Sequence, residues 1–218
     1  MQHLLRDLDK LKRDILAIGS LVESALRKAS TALMEGKVDL AREVISGDAE
    51  IDRREVELEN DCLKVLALHQ PVAADLRFVV TVLKVNNDLE RMGDLAGSIA
   101  RRAKSLSKSG QQVPEQEFRL LVDRVVEMVR GSLDSLVNQD AELARKVCLS
   151  DDEVDRIHRE NFELLQSRMM HDPSTIPESV NGLTVSRALE RTADLATNIA
   201  EDVLFMIDGD ILRHQSKL

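Results

Sequence analysis

Apolar side chains recur every three or four positions along almost the whole of this 218-residue chain. That spacing matches the 3.6-residue period of an α-helix, whereas the strict alternation typical of a half-exposed β-strand is missing. Breaks in the pattern are few, and each contains Gly, Pro or small polar residues. The pattern therefore predicts an all-α protein made of long helices.

The first half of the chain is predicted to contain three helices. The first ends at Gly36, and Asp39 is the predicted N-cap of a second helix that runs to about residue 68. A tight turn follows, and Pro71 is placed in the first turn of the third helix, where its fixed φ is favourable. Residues 105–114, which are rich in Ser, Lys, Gly and Gln, mark a linker after that helix.

The second half is predicted to contain three further helices. Two of them occupy residues 115–137 and 142–170, and the turn between the last two helices occupies residues 171–177. Thr175 and Glu178 have the spacing of a capping box, in which each side chain bonds the other residue's backbone N–H at the start of a helix.

A duplication relates the two halves of the chain. Residues 89–100 recur at 189–200 with a constant offset of 100, and residues 39–44 match 142–147 with an offset of 103. The duplication predicts two tandem three-helix bundles related by quasi-two-fold symmetry, with six long antiparallel helices in all. We expect bundles about 45 Å long, since a helix of about 30 residues rises 1.5 Å per residue. The predicted boundaries are 1–108 for the first bundle, 109–114 for the linker and 115–218 for the second bundle.

The duplicated segment keeps acidic residues on the side of the helix that faces away from its apolar stripe. In the third helix these are Glu90 and Asp94, and in the sixth helix they are Glu190 and Asp194. Carboxylates four residues apart lie about 5–6 Å apart and repel each other unless a cation or a hydrogen-bond donor lies between them. Their repetition at matching positions therefore suggests a ligand.

The second and fifth helices each add another acidic pair, Asp48 with Asp52 and Asp151 with Asp155. In an antiparallel hairpin that turns near Gln70, Asp52 lies 18 residues before the turn, so it should be level with position 88 on the third helix. The same construction applies to the second half. Each half is thus predicted to gather four carboxylates, and the eight candidate metal ligands are Asp48, Asp52, Glu90, Asp94, Asp151, Asp155, Glu190 and Asp194.

Clustered carboxylates suit hard cations such as Mg²⁺, Ca²⁺ or Mn²⁺, and carboxylates that bridge helices also suit iron. His158 follows Asp155 by one turn and could add a nitrogen ligand, whereas the corresponding first-half residue is Glu55. Asp and Glu fill 39 of the 218 positions, so about 7 pairs at this spacing are expected by chance. A solvated acidic face, with ion pairs to Arg91 and Arg191, therefore stays open as an alternative.

Composition narrows the classes of partner. A net charge of −9 argues against a nucleic-acid backbone, and the absence of Trp and Tyr argues against base stacking. Cys62 and Cys148 form no CxxC motif, which fits a reducing, intracellular compartment. The first residues lack the features of a signal peptide, and no apolar run reaches the roughly 18 residues that span a bilayer. We therefore expect a cytoplasmic protein that meets a membrane only through a partner complex.

The motif Asp-Leu-Glu-Arg-Met-Gly-Asp at 88–94, its echo Ala-Leu-Glu-Arg-Thr-Ala-Asp at 188–194 and the segment Pro-Val-Ala-Ala-Asp-Leu-Arg at 71–77 resemble the PhoU family of phosphate-uptake regulators. The resemblance covers essentially the whole chain. It implies two similar three-helix bundles whose E/D-x-x-x-D motifs, here the eight carboxylates named above, bind multinuclear iron or another metal such as Mg, Mn, Zn or Ca, with no organic cofactor.

The same resemblance implies a role without catalysis. Members of the family are cytoplasmic accessory proteins that restrain a phosphate ABC transporter and its sensor histidine kinase when phosphate is plentiful. The expected partners of this chain are therefore the ATPase subunit of that transporter, the kinase and a second copy in a homodimer.

This chain departs from its own repeat at several positions of the motif. Ser98 and Arg101 stand where the second half has Asn198 and Glu201. Because the charge of Arg101 competes with a cation, the second half is expected to be the better metal site.

Two other classes of function stay open on the residues alone. One is a carboxylate-bridged di-metal enzyme, although such sites use Glu-x-x-His motifs on two helices and the nearest match here is Asp155 with His158. The other is a purely structural helical interaction protein.

Overall fold

The computed structural model describes the backbone of residues 2–109 and 115–209, and the side chains of residues 2–107 and 118–209. The described residues form six long helices and one short 3₁₀ turn, with no β-strand among them. The helices are α1 (Gln2–Glu35), α2 (Val38–His69), α3 (Ala73–Ser109), α4 (Glu115–Asn138), α5 (Ala141–His171) and α6 (Ile176–Asp208), and the 3₁₀ turn is Pro173–Thr175. The predicted all-α class and the six helices are confirmed.

Several predicted helix ends are wrong by a few residues. The N-cap of α2 is Lys37, which makes no side-chain capping bond, while Asp39 lies inside the first turn and pairs with Arg42 at 3.1 Å. The third helix begins at Ala73, so Pro71 precedes it. That helix also continues to Ser109 and therefore includes the first part of the predicted linker. Residues 110–114, the rest of that linker, lie outside the described residues.

The predicted capping box of α6 does not form. Thr175 belongs to the 3₁₀ turn, and its hydroxyl donates to the backbone carbonyl of Asp172 at 2.7 Å. Glu178 instead accepts from Arg168 of α5 at 2.9 Å. The turn makes the difference, because the carboxylate of Asp172 already accepts from the backbone N–H of Ser174.

Within each half the three helices pack against one another, and their apolar stripes meet in one continuous core. Leu89 and Met92 of α3 are fully buried, as is Leu189 of α6. The predicted core stripes are therefore confirmed, together with the two quasi-equivalent three-helix bundles. No helix in the described part of the chain combines the length and apolar character needed to cross a membrane.

The two halves also pack against each other, through α3 on α6 and α1 on α4. Lys84 of α3 pairs with the buried carboxylate of Asp202 of α6 at 3.0 Å, and Arg77 donates to the backbone carbonyl of Met206 at 2.9 Å. Because α3 and α6 each carry one copy of the duplicated acidic motif, this packing places the two copies side by side.

Candidate functional site

The first acidic cluster consists of Asp48 and Asp52 on α2 and Glu90 and Asp94 on α3. Burial raises the pKa of Asp48, and the nearby charges of Asp52 and Asp94 raise it further. Burial likewise raises the pKa of Glu90. The charges of Asp94, Asp52, Glu55 and Asp48 raise it further, in decreasing order of effect. These couplings join residues of both helices, so the predicted levels of the two acidic pairs are confirmed.

The second acidic cluster consists of Asp151 and Asp155 on α5 and Glu190 and Asp194 on α6. Burial raises the pKa of Asp151 to about 6, with further contributions from Asp194 and Asp155. The hydroxyl of Thr197 donates to Asp151 Oδ1 at 3.3 Å and offsets part of that rise. Burial, followed by neighbouring carboxylates, also raises the pKa of Glu190 and of Asp194. Negative charge is therefore concentrated here, in a partly desolvated place.

His158 lies beside the second cluster, as its spacing from Asp155 predicted. Its Nδ1 is 2.8 Å from Oγ of the buried Ser186, which leaves Nε2 as the ring nitrogen for a ligand. Burial lowers the pKa of His158, although Asp155 opposes that shift. The neutral imidazole that binds metals is therefore favoured at pH 7. The first-half counterpart, Glu55, has a pKa raised by burial and by nearby carboxylates.

Asp94 of the first acidic cluster and Asp194 of the second line a common groove of about 530 Å³ between α3 and α6. The groove is lined by Arg91, Asp94, Leu95, Arg101, Arg191, Asp194, Leu195 and Asn198. Sequence reasoning placed each acidic pair within its own half and did not predict that the halves share a groove. The reason is that the groove depends on the packing of α3 against α6, which joins residues about 100 positions apart.

Among the described residues, neither Arg91 nor Arg191 forms an ion pair with a carboxylate of the two clusters. Arg91 pairs with Asp88, at 3.6 Å. Arg191 lowers the pKa of Glu190 and Asp194, but burial and neighbouring carboxylates outweigh it in both cases. The alternative of an acidic face balanced by Arg91 and Arg191 is thus only partly supported.

The donors of the two clusters fit a hard cation in their chemistry, since carboxylate oxygens are the ligands that such ions prefer. The arrangement of these donors, however, does not form a metal site. Among the described residues, no three His, Cys, Asp and Glu side chains form a group that could hold a metal ion as they are placed. Binding would therefore require side-chain rotation in the second cluster, and in the first cluster it would also have to overcome Arg101, which opposes the rise of the Asp48 pKa.

The difference between Gly93 and Ala193 in the two motifs has a packing explanation. A Cβ at Gly93 would lie 3.1 Å from Cδ1 of Ile51, which is closer than ordinary packing allows. In the second half, Ala193 replaces Gly93 and is one carbon larger, while Val154 replaces Ile51 and is one carbon smaller. Helix packing therefore accounts for the departure.

Sequence reasoning missed Thr197 and Cys148 as neighbours of the second cluster. Burial raises the pKa of the Cys148 thiol to about 11, with contributions from Glu201 and Asp151. Thr197 lies three residues after Asp194, on the same helix face, and that spacing was the signal available for it.

Comparison with known proteins agrees with this architecture. The sequence model of the family described as PhoU domain matches this chain twice, at residues 15–103 and 118–203. A relative from Aquifex aeolicus named phosphate-specific transport system accessory protein PhoU homolog is 38% identical over 212 residues, which are 97% of this chain and 96% of the relative. A relative of the same name from Pseudomonas aeruginosa is 36% identical, over 95% of this chain and 86% of the relative.

Solved structures give the same result in three dimensions. The crystal structure of PhoU from Pseudomonas aeruginosa superposes with a TM-score of 0.90 at 36% identity, covering 94% of this chain and 99% of that one. The phosphate transport system regulatory protein PhoU from Streptococcus pneumoniae gives a TM-score of 0.89 at 27% identity, covering 96% and 99%. The chain therefore belongs to the PhoU domain family, and it carries one match to the domain in each of its three-helix halves.

Proposed function

We propose that this chain is an accessory protein of phosphate transport that restrains phosphate uptake and the phosphate-starvation response when phosphate is plentiful. The observation that carries the proposal is similarity over the full length of both proteins, at 38% identity, to a relative named as an accessory protein of a phosphate-specific transport system. The match in shape to a structure named as a regulatory protein of such a system supports the same role.

The proposed partners are the ATPase subunit of a phosphate ABC transporter and a phosphate-sensing histidine kinase. This role requires the chain to be in the cytoplasm, where those partners expose their regulatory surfaces. There the chain acts as an adaptor, in the form of a homodimer.

The proposed ligand of the adaptor is a metal ion or a multinuclear metal cluster, of iron or of Mg, Mn, Zn or Ca, held by the eight carboxylates of the two acidic clusters. A bound cation would supply positive charge between carboxylates whose pKa values burial and mutual repulsion now raise. His158, on which Asp155 acts, is the proposed nitrogen ligand beside the second cluster.

We propose binding rather than catalysis. The relatives carry the names of accessory and regulatory proteins and not of enzymes. A carboxylate-bridged di-metal enzyme is less well supported, because the first-half counterpart of His158 is Glu55 and the Glu-x-x-His motif is therefore missing from that half.

A reporter of a phosphate-starvation gene tests the proposed role. Deleting the gene for this chain is expected to turn the reporter on at high phosphate, and the wild-type chain supplied in trans should restore repression. Unchanged repression in the deletion strain would contradict the role. Affinity capture from cells, with the transporter ATPase and the sensor kinase each carrying a tag, tests the partners one by one.

The metal part of the proposal needs a separate variant. A chain with Asp151→Asn and Asp194→Asn removes two charges from the second cluster, while the control Glu142→Gln with Glu160→Gln removes two exposed charges from α5. We expect the first variant, and not the control, to lose metal in elemental analysis of protein purified without chelator. Equal metal content in both variants would argue against these ligands.

A further inference from the structure

The third helix of each half exposes large apolar side chains at equivalent positions. Among the described residues of α3 these side chains are Leu76 and Val80, and among those of α6 they are Ile176 and Val180. The offset of 100 that relates the two helices places Ile176 at the position of Leu76 and Val180 at the position of Val80. The two halves therefore share an exposed apolar pair as well as a core stripe and an acidic motif.

The exposed apolar residues of α2 and α5 have no such counterparts. At the offset of 103 that relates these two helices, the position that matches the exposed Val56 holds Arg159, and the position that matches the exposed Phe162 holds Glu59. Single exposed apolar side chains are ordinary on a protein surface, whereas apolar patches mark sites of interaction. The repetition on α3 and α6 is therefore the observation that needs an explanation.

A leucine extends each exposed pair. Leu83 and Leu183 follow the exposed valines by three residues on the same helix face, and both are partly buried against the core. Val80 and Leu83 line a groove of about 440 Å³, and Leu183 lines one of about 460 Å³. Each patch thus has space beside it for the side chains of a partner. We define the first apolar patch as Leu76, Val80 and Leu83, and the second apolar patch as Ile176, Val180 and Leu183.

The helices that carry the two patches run antiparallel. Arg77 near the start of α3 contacts Met206 near the end of α6, and Lys84, two turns later, contacts Asp202. Because the patches occupy the first half of each helix, they lie at opposite ends of the α3–α6 pair.

The patches also lie on the same side of the molecule as the groove between α3 and α6. Val80 precedes Asp94 by 14 residues, and Val180 precedes Asp194 by 14 residues. That number corresponds to about four helical turns and about 21 Å, so each valine shares a helix face with the aspartate that lines the groove. The two patches are therefore about 40 Å apart, with the groove between them.

Negative charge borders both patches. Glu90 follows Leu83 by seven residues, which is about two turns, and Glu190 follows Leu183 by the same number. The four carboxylates of one acidic cluster thus adjoin each patch, in a chain with a net charge of −9. A second copy of this chain, laid patch against patch, would bring like charges together, whereas a partner with basic residues would complement them.

We propose that the two apolar patches dock the two protomers of one homodimeric partner protein, each of which covers a patch with an apolar surface bordered by Lys or Arg. This inference rests on the proposed adaptor role, and it adds the docking surface and the symmetry of the partner. Two-fold dimers are the commonest protein assemblies and present the same surface twice. A dimer whose axis coincides with the quasi-two-fold axis of this chain reaches both patches at once, which strengthens binding by about 10²–10⁴-fold over one patch.

Site-specific photo-crosslinking in cells grown at high phosphate tests the proposal. The full-length chain carries p-benzoylphenylalanine in place of Val80, of Val180 or of both. We expect the two positions to capture the same protein through the same peptide, one with apolar residues and Lys or Arg. The chain labelled at both positions should also yield a product with two copies of that protein. The control position is Val56, which is exposed but has no apolar counterpart, and it should not capture that peptide.

Binding of the captured protein, once purified, measures the contribution of each patch. Val80→Lys and Val180→Lys each place a positive charge in one patch, against a basic partner surface. Each is expected to weaken the complex by at least about 100-fold, because the second attachment is lost. Val56→Lys adds the same charge on α2 and should bind as the wild type does. All three side chains are exposed, and far-ultraviolet circular dichroism checks that the variants are folded.

Several results would overturn the inference. They are capture of different proteins at positions 80 and 180, capture of a second copy of this chain, an acidic captured peptide, no product with two copies, and no capture at either position. Wild-type affinity of Val80→Lys or Val180→Lys would overturn it as well. Failure of the transport role is a separate result, because it appears as unchanged repression of the phosphate-starvation reporter in the deletion strain, where neither patch is altered.

Discussion

Replacement of Asp151 by Asn should stabilise the metal-free protein, although it alters a candidate ligand. Burial and the neighbouring charges of Asp194 and Asp155 raise the pKa of this carboxyl from 3.8 to about 6 in the folded chain. The charged form therefore opposes folding. Asn has the same shape, and its side-chain carbonyl can still accept the hydroxyl of Thr197.

The expected gain follows from the size of the pKa shift. Each pKa unit corresponds to about 1.4 kcal/mol, so the shift of Asp151 corresponds to about 3 kcal/mol in the free energy of unfolding. The side chain is partly exposed, and solvent screening reduces this figure. We expect Asp151→Asn to raise the free energy of unfolding by about 1–3 kcal/mol at pH 8.

The gain should depend on pH with a definite sign. Because the folded chain holds the proton of Asp151 more tightly than the unfolded chain does, the wild type gains stability as the pH falls through about 6 towards 3.8. The advantage of the variant is therefore complete above pH 7 and disappears below about pH 4. Asp152, Asp155, Asp194 and Thr197 are the groups that act on this carboxyl, and they are unchanged in the comparison.

Urea unfolding of the wild type and Asp151→Asn at pH 8 and pH 4, with a chelator present, measures the effect. Asp48→Asn is the matched control, since burial raises the pKa of Asp48 as well but Arg101 opposes that rise. At pH 8, Asp48→Asn should raise the free energy of unfolding by less than Asp151→Asn does. A loss of stability in Asp151→Asn at pH 8, or a gain of equal size at both pH values, would refute the reasoning.

Three further predictions follow from the helix contacts. Lys84→Gln should lower the free energy of unfolding by about 1–2 kcal/mol in urea titrations, because it removes the charge that pairs with Asp202, whose side chain is only 3% exposed. An unchanged free energy of unfolding would mean that this ion pair does not stabilise the contact between the halves. Asp140→Ala should cost about 1 kcal/mol in the same assay because its carboxylate caps α5, whereas Lys37→Ala, at an N-cap without such a bond, should cost almost nothing. Burial raises the pKa of the Cys62 thiol to about 12, so Ellman's reagent at pH 8 should label it at once in urea and slowly in the native protein; fast native labelling would contradict its burial.

The order of apolar and acidic residues along the chain predicted much of the site. A fixed rise and rotation per residue decides which residues share a helix face, and a hairpin turn decides which residues are level. These rules were enough to bring Asp48 near Asp94 and Asp151 near Asp194, as the structure confirms. They failed at the helix ends, for example at Asp39, because a cap depends on local turn geometry that the period does not encode.

The sequence by itself determined the helical class, the duplication and the two sets of four carboxylates, since all of these follow from contacts within one helix or one hairpin. Only the tertiary structure decided that Asp94 of one set and Asp194 of the other line a common groove. The groove depends on how α3 packs against α6. Packing of this kind joins residues far apart in the chain, so no local period of the sequence can specify it.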